Sequence, residues 1–341
     1  MVDWSLCPRT TECAVADAAQ FHAQVQAGGR PAVLRGLVAQ WPAVAAARDG
    51  DAALCAYLRG FGGAQPVDAF FGAPAMRGRF FYTDDCLSFN FARRSLPLAE
   101  LLGLLIEYRN AAEPPSLYAG AVRAHTALPG FSAANPAPLL DAATQRLESL
   151  WVGNRTRIGA HWDLPQNLIC VIGGRRRYTL FPPEQIGNLY PGPVENSPAG
   201  QPISMVDFHA PDLARYPRFI DALQSAQVAE LAPGDALYLP SLWWHHAESL
   251  DPVGVMANYW WRDAQPYMTT PSSTLQHALL TLRDLPHAER MAWRSFFDYY
   301  IFAADGDTMA HLPAAARGVF GSMDEEVAAR LRAHLAHTLQ W

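Results

Sequence analysis

Between about residues 116 and 261 the chain is a succession of short runs of strand-forming residues, each closed by Gly or Pro, and this punctuation constrains the fold most strongly. The runs at 168–172, 175–181, 236–239 and 253–261, with their turn signals, point to a β-sandwich or barrel. The flanks read differently. Residues 14–58 are Ala-rich and broken by Gly28-Gly29-Arg30-Pro31, giving a helix, a turn, a short strand at 32–35 and more helix. Residues 67–91 are aromatic and Gly-rich with short strand-like pieces, and 96–109 carries apolar residues at helical spacing. After Arg262 the chain turns helical at 273–285, 287–302 and 324–339. The division we expect is an N-terminal α/β region over 1–115 packing on the core, a β core over 116–262 and a helical region over 263–341. In that tail Leu279, Leu282, Met291, Trp293, Phe296, Phe297 and Tyr300 either cap the sheet or meet a second copy in a homodimer.

Inside the β region stands His161-Trp162-Asp163. On extended chain, side chains two apart point the same way, so both groups aim at one point. Two imidazoles and one carboxylate hold a redox-active Fe(II) on one face and leave the opposite positions open. An isolated His-x-Asp is more often a surface turn, so its weight comes from context. That context is a distal run, Gly234-Asp235-Ala236-Leu237-Tyr238-Leu239-Pro240-Ser241-Leu242-Trp243-Trp244-His245-His246. Pro233-Gly234-Asp235 reads as a turn, 236–239 as a strand and Pro240 as its end. Trp243 and Trp244 wall a pocket or pack in the core. One of the two adjacent histidines returns to the metal, and residue chemistry leaves His245 and His246 as alternatives.

Gly173-Gly174 lies between two strand-like runs and reads as a hairpin turn. Val171 would then face Arg176, Ile169 would face Tyr178 and Asn167 would face Leu180. Counting by twos puts His161, Asp163, Asn167, Ile169 and Val171 on one face with Arg176, Tyr178 and Leu180. Metal ligands at one end, an Arg further along and apolar residues between make the layout of a pocket for a small dicarboxylate. Arg175 and Arg177 are expected on the solvated outer face. The chain contains no Lys, so all 26 basic residues are Arg and any permanent cation in a buried site is a guanidinium.

Composition excludes several classes. A net charge of −6 without long runs of like charge lacks the basic patch of a nucleic-acid footprint, so no DNA partner is expected. Cys7, Cys13, Cys55, Cys86 and Cys170 are odd in number and without a C-x-x-C pair, which reads as reduced thiols rather than a disulfide framework or zinc knuckle. The first 20 residues hold no basic segment followed by an apolar stretch, and no apolar run approaches the ~20 residues of a membrane helix. The expectation is a cytoplasmic protein with no membrane partner.

The ordered set Gly159-Ala160-His161-Trp162-Asp163, the run from Gly174 to Gln185, Leu189-Tyr190-Pro191, the run from Gly234 to Pro240, Trp243-Trp244-His245-His246 and Glu248-Ser249-Leu250 resembles the JmjC/cupin-like oxygenases, asparaginyl hydroxylases and their bacterial relatives among them. The likeness covers roughly 116–261, with a weaker extension at 30–36 and Trp41-Pro42. It implies a mainly β fold, a double-stranded β-helix (jelly roll) with flanking helices, and the use of Fe(II), 2-oxoglutarate and O2. It selects the first histidine of the pair, making His161, Asp163 and His245 the catalytic metal ligands. The family Lys that holds the far carboxylate of 2-oxoglutarate is matched by Arg176, and a family Tyr on the same carboxylate by Tyr118. Family Asn residues near the metal-side carboxylate are matched by Asn167 and, with a slightly shorter loop, Asn258. One position departs: the family's co-substrate Thr is Ile158 here, so a hydrogen bond is lost. The implied activity is hydroxylation, or demethylation through hydroxylation, of a protein side chain ahead of a small metabolite or RNA. The competing readings are a cupin metal enzyme without 2-oxoglutarate, a binding or sensor protein that has lost turnover, and a hydrolytic zinc site on the same ligands. Arg176 weighs against the first, and the intact ligand triad against the second.

Overall fold

Along the run Gln166–Gly173 both parities are apolar, which is the pattern of a strand covered on both faces. Leu168, Cys170 and Ile172 pack to one side, into the larger core with helical residues such as Leu54 and Leu58, while Ile169 and Val171 pack to the other. The computed structural model describes residues 3–63, 65–141, 143–198, 200–303 and 308–339. It divides into two compact units, Met1–Arg262 and Asp263–Trp341.

The strands of the first unit are β1 (Ala32–Leu34), β2 (Pro66–Gly72), β3 (Arg79–Phe80), β4 (Phe91–Pro97), β5 (Ser116–Arg123), β6 (Arg146–Gly153), β7 (Arg157–His161), β8 (Gln166–Gly173), β9 (Arg176–Phe181), β10 (Gln227–Leu231), β11 (Ala236–Leu239), β12 (Trp244–Ser249) and β13 (Gly254–Trp261). They form an eight-stranded sheet in the order β1-β11-β8-β13-β6-β5-β2-β4 and a five-stranded sheet in the order β10-β9-β12-β7-β3. Pairing is antiparallel throughout except between β3 and β7. Chain neighbours repeatedly change sheet, and the result is the jelly-roll sandwich expected from the sequence. Strands from the first 115 residues are built into both sheets.

Three cores follow from this arrangement. The outer face of the large sheet buries itself under the helices Pro42–Arg48, Asp51–Arg59 and Leu98–Tyr108. The outer face of the small sheet is covered by Phe208, Phe219 and Trp4. The interior between the sheets holds Val33, Ile169, Val171, Tyr178, Leu180 and Met256, among others. Trp243 and Trp244 both take part in core packing, one in the interior and one on the outside of the small sheet, and Trp243 also lines a separate surface cavity.

The expected hairpin at Gly173-Gly174 is not there. β8 pairs with β11 and β13 in the large sheet, whereas β9 pairs with β10 and β12 in the small one, so the two glycines turn a corner between sheets. The inner faces of the two sheets point at each other, which is why the residues assigned to one face still meet. Gly174 sits at φ +71°, and a Cβ there would lie 2.4 Å from the carbonyl oxygen of Val253. Gly174→Ala combines a left-handed backbone with a steric clash and should destabilise the fold by at least the roughly 1–3 kcal/mol of such backbone strain alone. Urea unfolding at unchanged m-value checks this.

Arg175 is exposed and pairs with Asp251 at 2.9 Å. Arg177 points outward as expected but is not simply solvated. It bonds Glu230 at 3.2 Å and reaches the buried Glu248 at 3.6 Å.

In the second unit, helix Pro271–Thr281 starts on a Thr270 cap, helix His287–Phe297 continues as a wider turn over Asp298–Phe302, and helix Glu325–Thr338 starts on Asp324, whose carboxylate accepts from Val327 N at 2.9 Å. Among the described residues no helix is long and apolar enough to cross a membrane.

Candidate metal centre

Strands β7 and β12 lie side by side in the small sheet with His161 opposite His245. Their rings stand 4.2 Å apart, centroid to centroid. The chain stays open beyond β7, and the backbone oxygen of Asp163 accepts from Leu242 N at 2.8 Å, tying the second ligand to the loop before β12. Ligand atoms of His161, Asp163 and His245 all lie within 4.8 Å of one another, with Asp163 Oδ2 at 3.6 Å from His245 Nε2.

The orientation of both imidazoles is set by the backbone. Nδ1 of His161 meets the carbonyl oxygen of Gly159 at 2.9 Å, and Nδ1 of His245 meets that of Trp243 at 3.0 Å. A carbonyl only accepts, so each Nδ1 is the donor and each Nε2 is the nitrogen left for the shared point. This arrangement fixes ring and tautomer in metal-ligating histidines. Burial, helped by His161, pushes His245 well below the ordinary histidine range, so it is neutral and able to donate. Burial holds the Asp163 carboxyl above its ordinary range, opposed by the neighbouring His161.

A register shift between His245 and Ala247 makes Ala247 the partner of Ile158 rather than of Gly159. One residue is added on β7, a bulge that turns Ile158 into the interior beside the ligands. Along the small sheet the inner rows therefore run His161, His245 and Leu180, then Ile158, Ala247 and Tyr178, then Ser249 and Arg176. Leu180 and Arg176 are four positions apart, roughly 13 Å of strand.

A cavity of about 690 Å³ opens onto this surface, lined by the three ligand residues and by Arg176, Tyr118, Asn167, Ile158, Tyr178, Met256, Trp151 and Trp260, among others. Arg176 is 4 % exposed. Its Nε has no hydrogen-bond partner, and among the described residues no carboxylate lies within ion-pair distance of it. An uncompensated buried charge is costly, so this guanidinium is prepared for an anion that enters the cavity. Tyr118 is buried, and burial raises its phenol well above the ordinary range, keeping it a neutral O–H donor. Asn258 stands behind the wall: its Oδ1 accepts from Trp151 Nε1 at 2.7 Å, and its Nδ2 donates to Asn167 Oδ1 at 3.2 Å. That leaves the amide NH2 of Asn167 as its free donor.

All seven residues singled out in the sequence are thus gathered at one place, six on the cavity and Asn258 one layer back. Phe70, Phe80 and Arg93 also line the cavity and were not found from the sequence. They come from β2, β3 and β4, far from the ligand motifs in the chain, and no local pattern marks them. Trp260 was missed too, although counting by twos from Asn258 reaches it.

Residues 18–266, well over half of the chain, match the model of a protein family described as a cupin-like domain. Among curated proteins, the chain is 34% identical over 124 residues to lysine-specific demethylase JMJ31 of Arabidopsis thaliana, which covers 36% of this chain and 22% of that protein. It is 40% identical over 119 residues to human HSPB1-associated protein 1, covering 33% and 23%, and 33% identical over 106 residues to tRNA wybutosine-synthesizing protein 5 of Danio rerio, covering 31% and 29%. The chain spans less than a third of the length of the curated relatives it matches.

Proposed function

The chain belongs to the cupin-like family of JmjC type, and from that premise we propose that it is an Fe(II)- and 2-oxoglutarate-dependent dioxygenase acting on a protein side chain, by hydroxylation or by demethylation through hydroxylation. The observation that carries the reading is the buried, carboxylate-free Arg176 sharing one cavity with His161, Asp163 and His245. Two imidazoles held through Nδ1 by backbone carbonyls and one carboxylate suit Fe(II). Two relatives named lysine-specific demethylases support a protein substrate, against one named for tRNA wybutosine synthesis.

Bound at this triad, iron and 2-oxoglutarate supply the oxidation: O2 and the co-substrate become succinate, CO2 and a hydroxyl inserted into a substrate C–H bond. The chain's own residues do the rest. Arg176 pairs with the distal carboxylate of the co-substrate, and the Tyr118 hydroxyl donates to the same group. Asn167, whose Oδ1 accepts from Asn258, keeps its NH2 as a free donor on the cavity wall. Ile169, Tyr178, Met256 and Ile158 keep the walls apolar and exclude water.

Labelled 2-oxoglutarate tests the assignment. The Fe(II)-loaded protein with cell extract should release succinate and CO2 in equal amounts while one protein in the extract either gains an oxygen atom or loses a methyl group as formaldehyde. Absence of succinate under these conditions contradicts the reading.

Ile158 gives a graded check. Ile158→Thr should offer the co-substrate carboxylate one further hydrogen bond and lower its apparent KM by roughly 10-fold or more, the equivalent of about 1.5–3 kcal/mol for a hydrogen bond to a charged group. Initial rates against 2-oxoglutarate concentration measure it.

The assignment includes a homodimer formed through the C-terminal helices. Trp293, Phe296 and Phe302 are 43%, 55% and 75% exposed, and monomers seldom leave large apolar patches open. Sedimentation equilibrium should give a dimer, and Trp293→Asp with Phe296→Asp a monomer.

A further inference from the structure

Strand β12 carries ligand chemistry on both of its faces. His245 points between the sheets, whereas His246 and Glu248, one residue on and then two more, lie on the outer face of the small sheet. Beneath the covering segment they meet His209. Ligand atoms of His209, His246 and Glu248 all lie within 4.8 Å of one another, a second set of two imidazoles and one carboxylate.

The surroundings of His246 are unlike those of the two histidines in the cavity. It is 6 % exposed, with its ring against that of Phe208 at 4.7 Å, and neither ring nitrogen has a hydrogen-bond partner. Its Nε2 stands 4.0 Å from Glu248 Oε1. That is too long for a hydrogen bond. Donors bound tetrahedrally to one ion at about 2.0–2.2 Å each stand roughly 3.3–3.6 Å apart, so a shift of about half an ångström brings this pair onto an ion. The other oxygen of Glu248 faces Arg177 at 3.6 Å, so Oε1 is the one turned to the histidines, and His209 Nε2 contacts it directly. His209 is placed by its backbone N–H, which donates to Asp207 Oδ1 at 2.9 Å, and its side chain is 42% exposed, which gives an ion a way in from solvent.

We propose that His209, His246 and Glu248 form a second divalent-cation site, of the zinc class, on the outer face of the small sheet. Two imidazoles and a carboxylate give three protein ligands and leave one position to solvent. An ion there pins the segment carrying Phe208 and His209 onto the strand that carries His245. Its role is to brace that strand from outside, separate from any chemistry in the cavity.

The test uses the full chain with His161→Ala and Asp163→Ala together, which leaves a single imidazole in the cavity. Equilibrium dialysis against Zn(II), followed by metal analysis, should find one equivalent retained by this variant. Adding His209→Ala should remove it, and the zinc-dependent rise in melting temperature should vanish with it. His209→Gln should behave as His209→Ala does. A cavity variant that binds no zinc, or one that still binds an equivalent without His209, overturns the proposal. Neither result bears on 2-oxoglutarate turnover by the unaltered protein, so this site and the proposed activity stand or fall separately.

Discussion

Asp163→Ala should abolish Fe(II)-dependent turnover of 2-oxoglutarate while leaving the fold intact. Loss of a residue that merely orients a ligand weakens metal binding roughly 10- to 100-fold, and removal of the only carboxylate in the ligand set must exceed that. The structural side of the prediction has a definite sign. Burial raises the Asp163 carboxyl above its unfolded value, so in the metal-free protein its charged form disfavours the fold at neutral pH. That cost shrinks as pH falls toward the raised value. Metal-free Asp163→Ala should therefore melt no lower than the parent at neutral pH, whereas added Fe(II) should raise the melting temperature of the parent by more than that of the variant. Succinate formation at parental rates in the variant would reject Asp163 as a ligand.

The second large effect concerns Arg176. Removing one member of a buried, hydrogen-bonded charge pair costs about 2–5 kcal/mol, so Arg176→Met should raise the KM for 2-oxoglutarate by roughly 30-fold or more. The same change removes a buried guanidinium that has no carboxylate beside it. The ligand-free variant should accordingly be as stable as the parent or more so, because a well-packed apolar replacement avoids the desolvation of a lone charge. Arg176→Lys should fall between, keeping the charge and losing the two-point contact. An unchanged KM in Arg176→Met would place the co-substrate carboxylate elsewhere.

Much of this site was legible along the chain because strands impose a simple rule. His161 and Asp163 share a parity, and the two histidines at 245 and 246 must part, one inward and one outward. The rule assigns faces, not partners. Gly173-Gly174 satisfied every local requirement of a hairpin, yet the turn belongs to two different sheets. The face assignment survived because the inner faces of a sandwich meet in one interior, so Asn167 and Arg176 are brought together from opposite walls. Ile158 shows the converse. Strict alternation from His161 would place it outside, and only the extra residue in β7 turns it into the cavity. Phe70 and Phe80 lay beyond reach because β2 and β3, which carry them, join the sheets through long-range pairings that no local pattern encodes. The outer cluster of His209, His246 and Glu248 depends on a long-range contact of the same kind.

The most direct measurement mixes the protein with Fe(II) and 2-oxoglutarate under nitrogen and records the visible spectrum before admitting O2. A charge-transfer band from an iron-chelated 2-oxo acid should appear in the parent, weaken in Arg176→Met unless 2-oxoglutarate is in large excess, and be absent in Asp163→Ala. It should decay on addition of O2 as succinate forms. A parent protein that binds Fe(II) yet shows no band at saturating 2-oxoglutarate would contradict the assignment of the cavity.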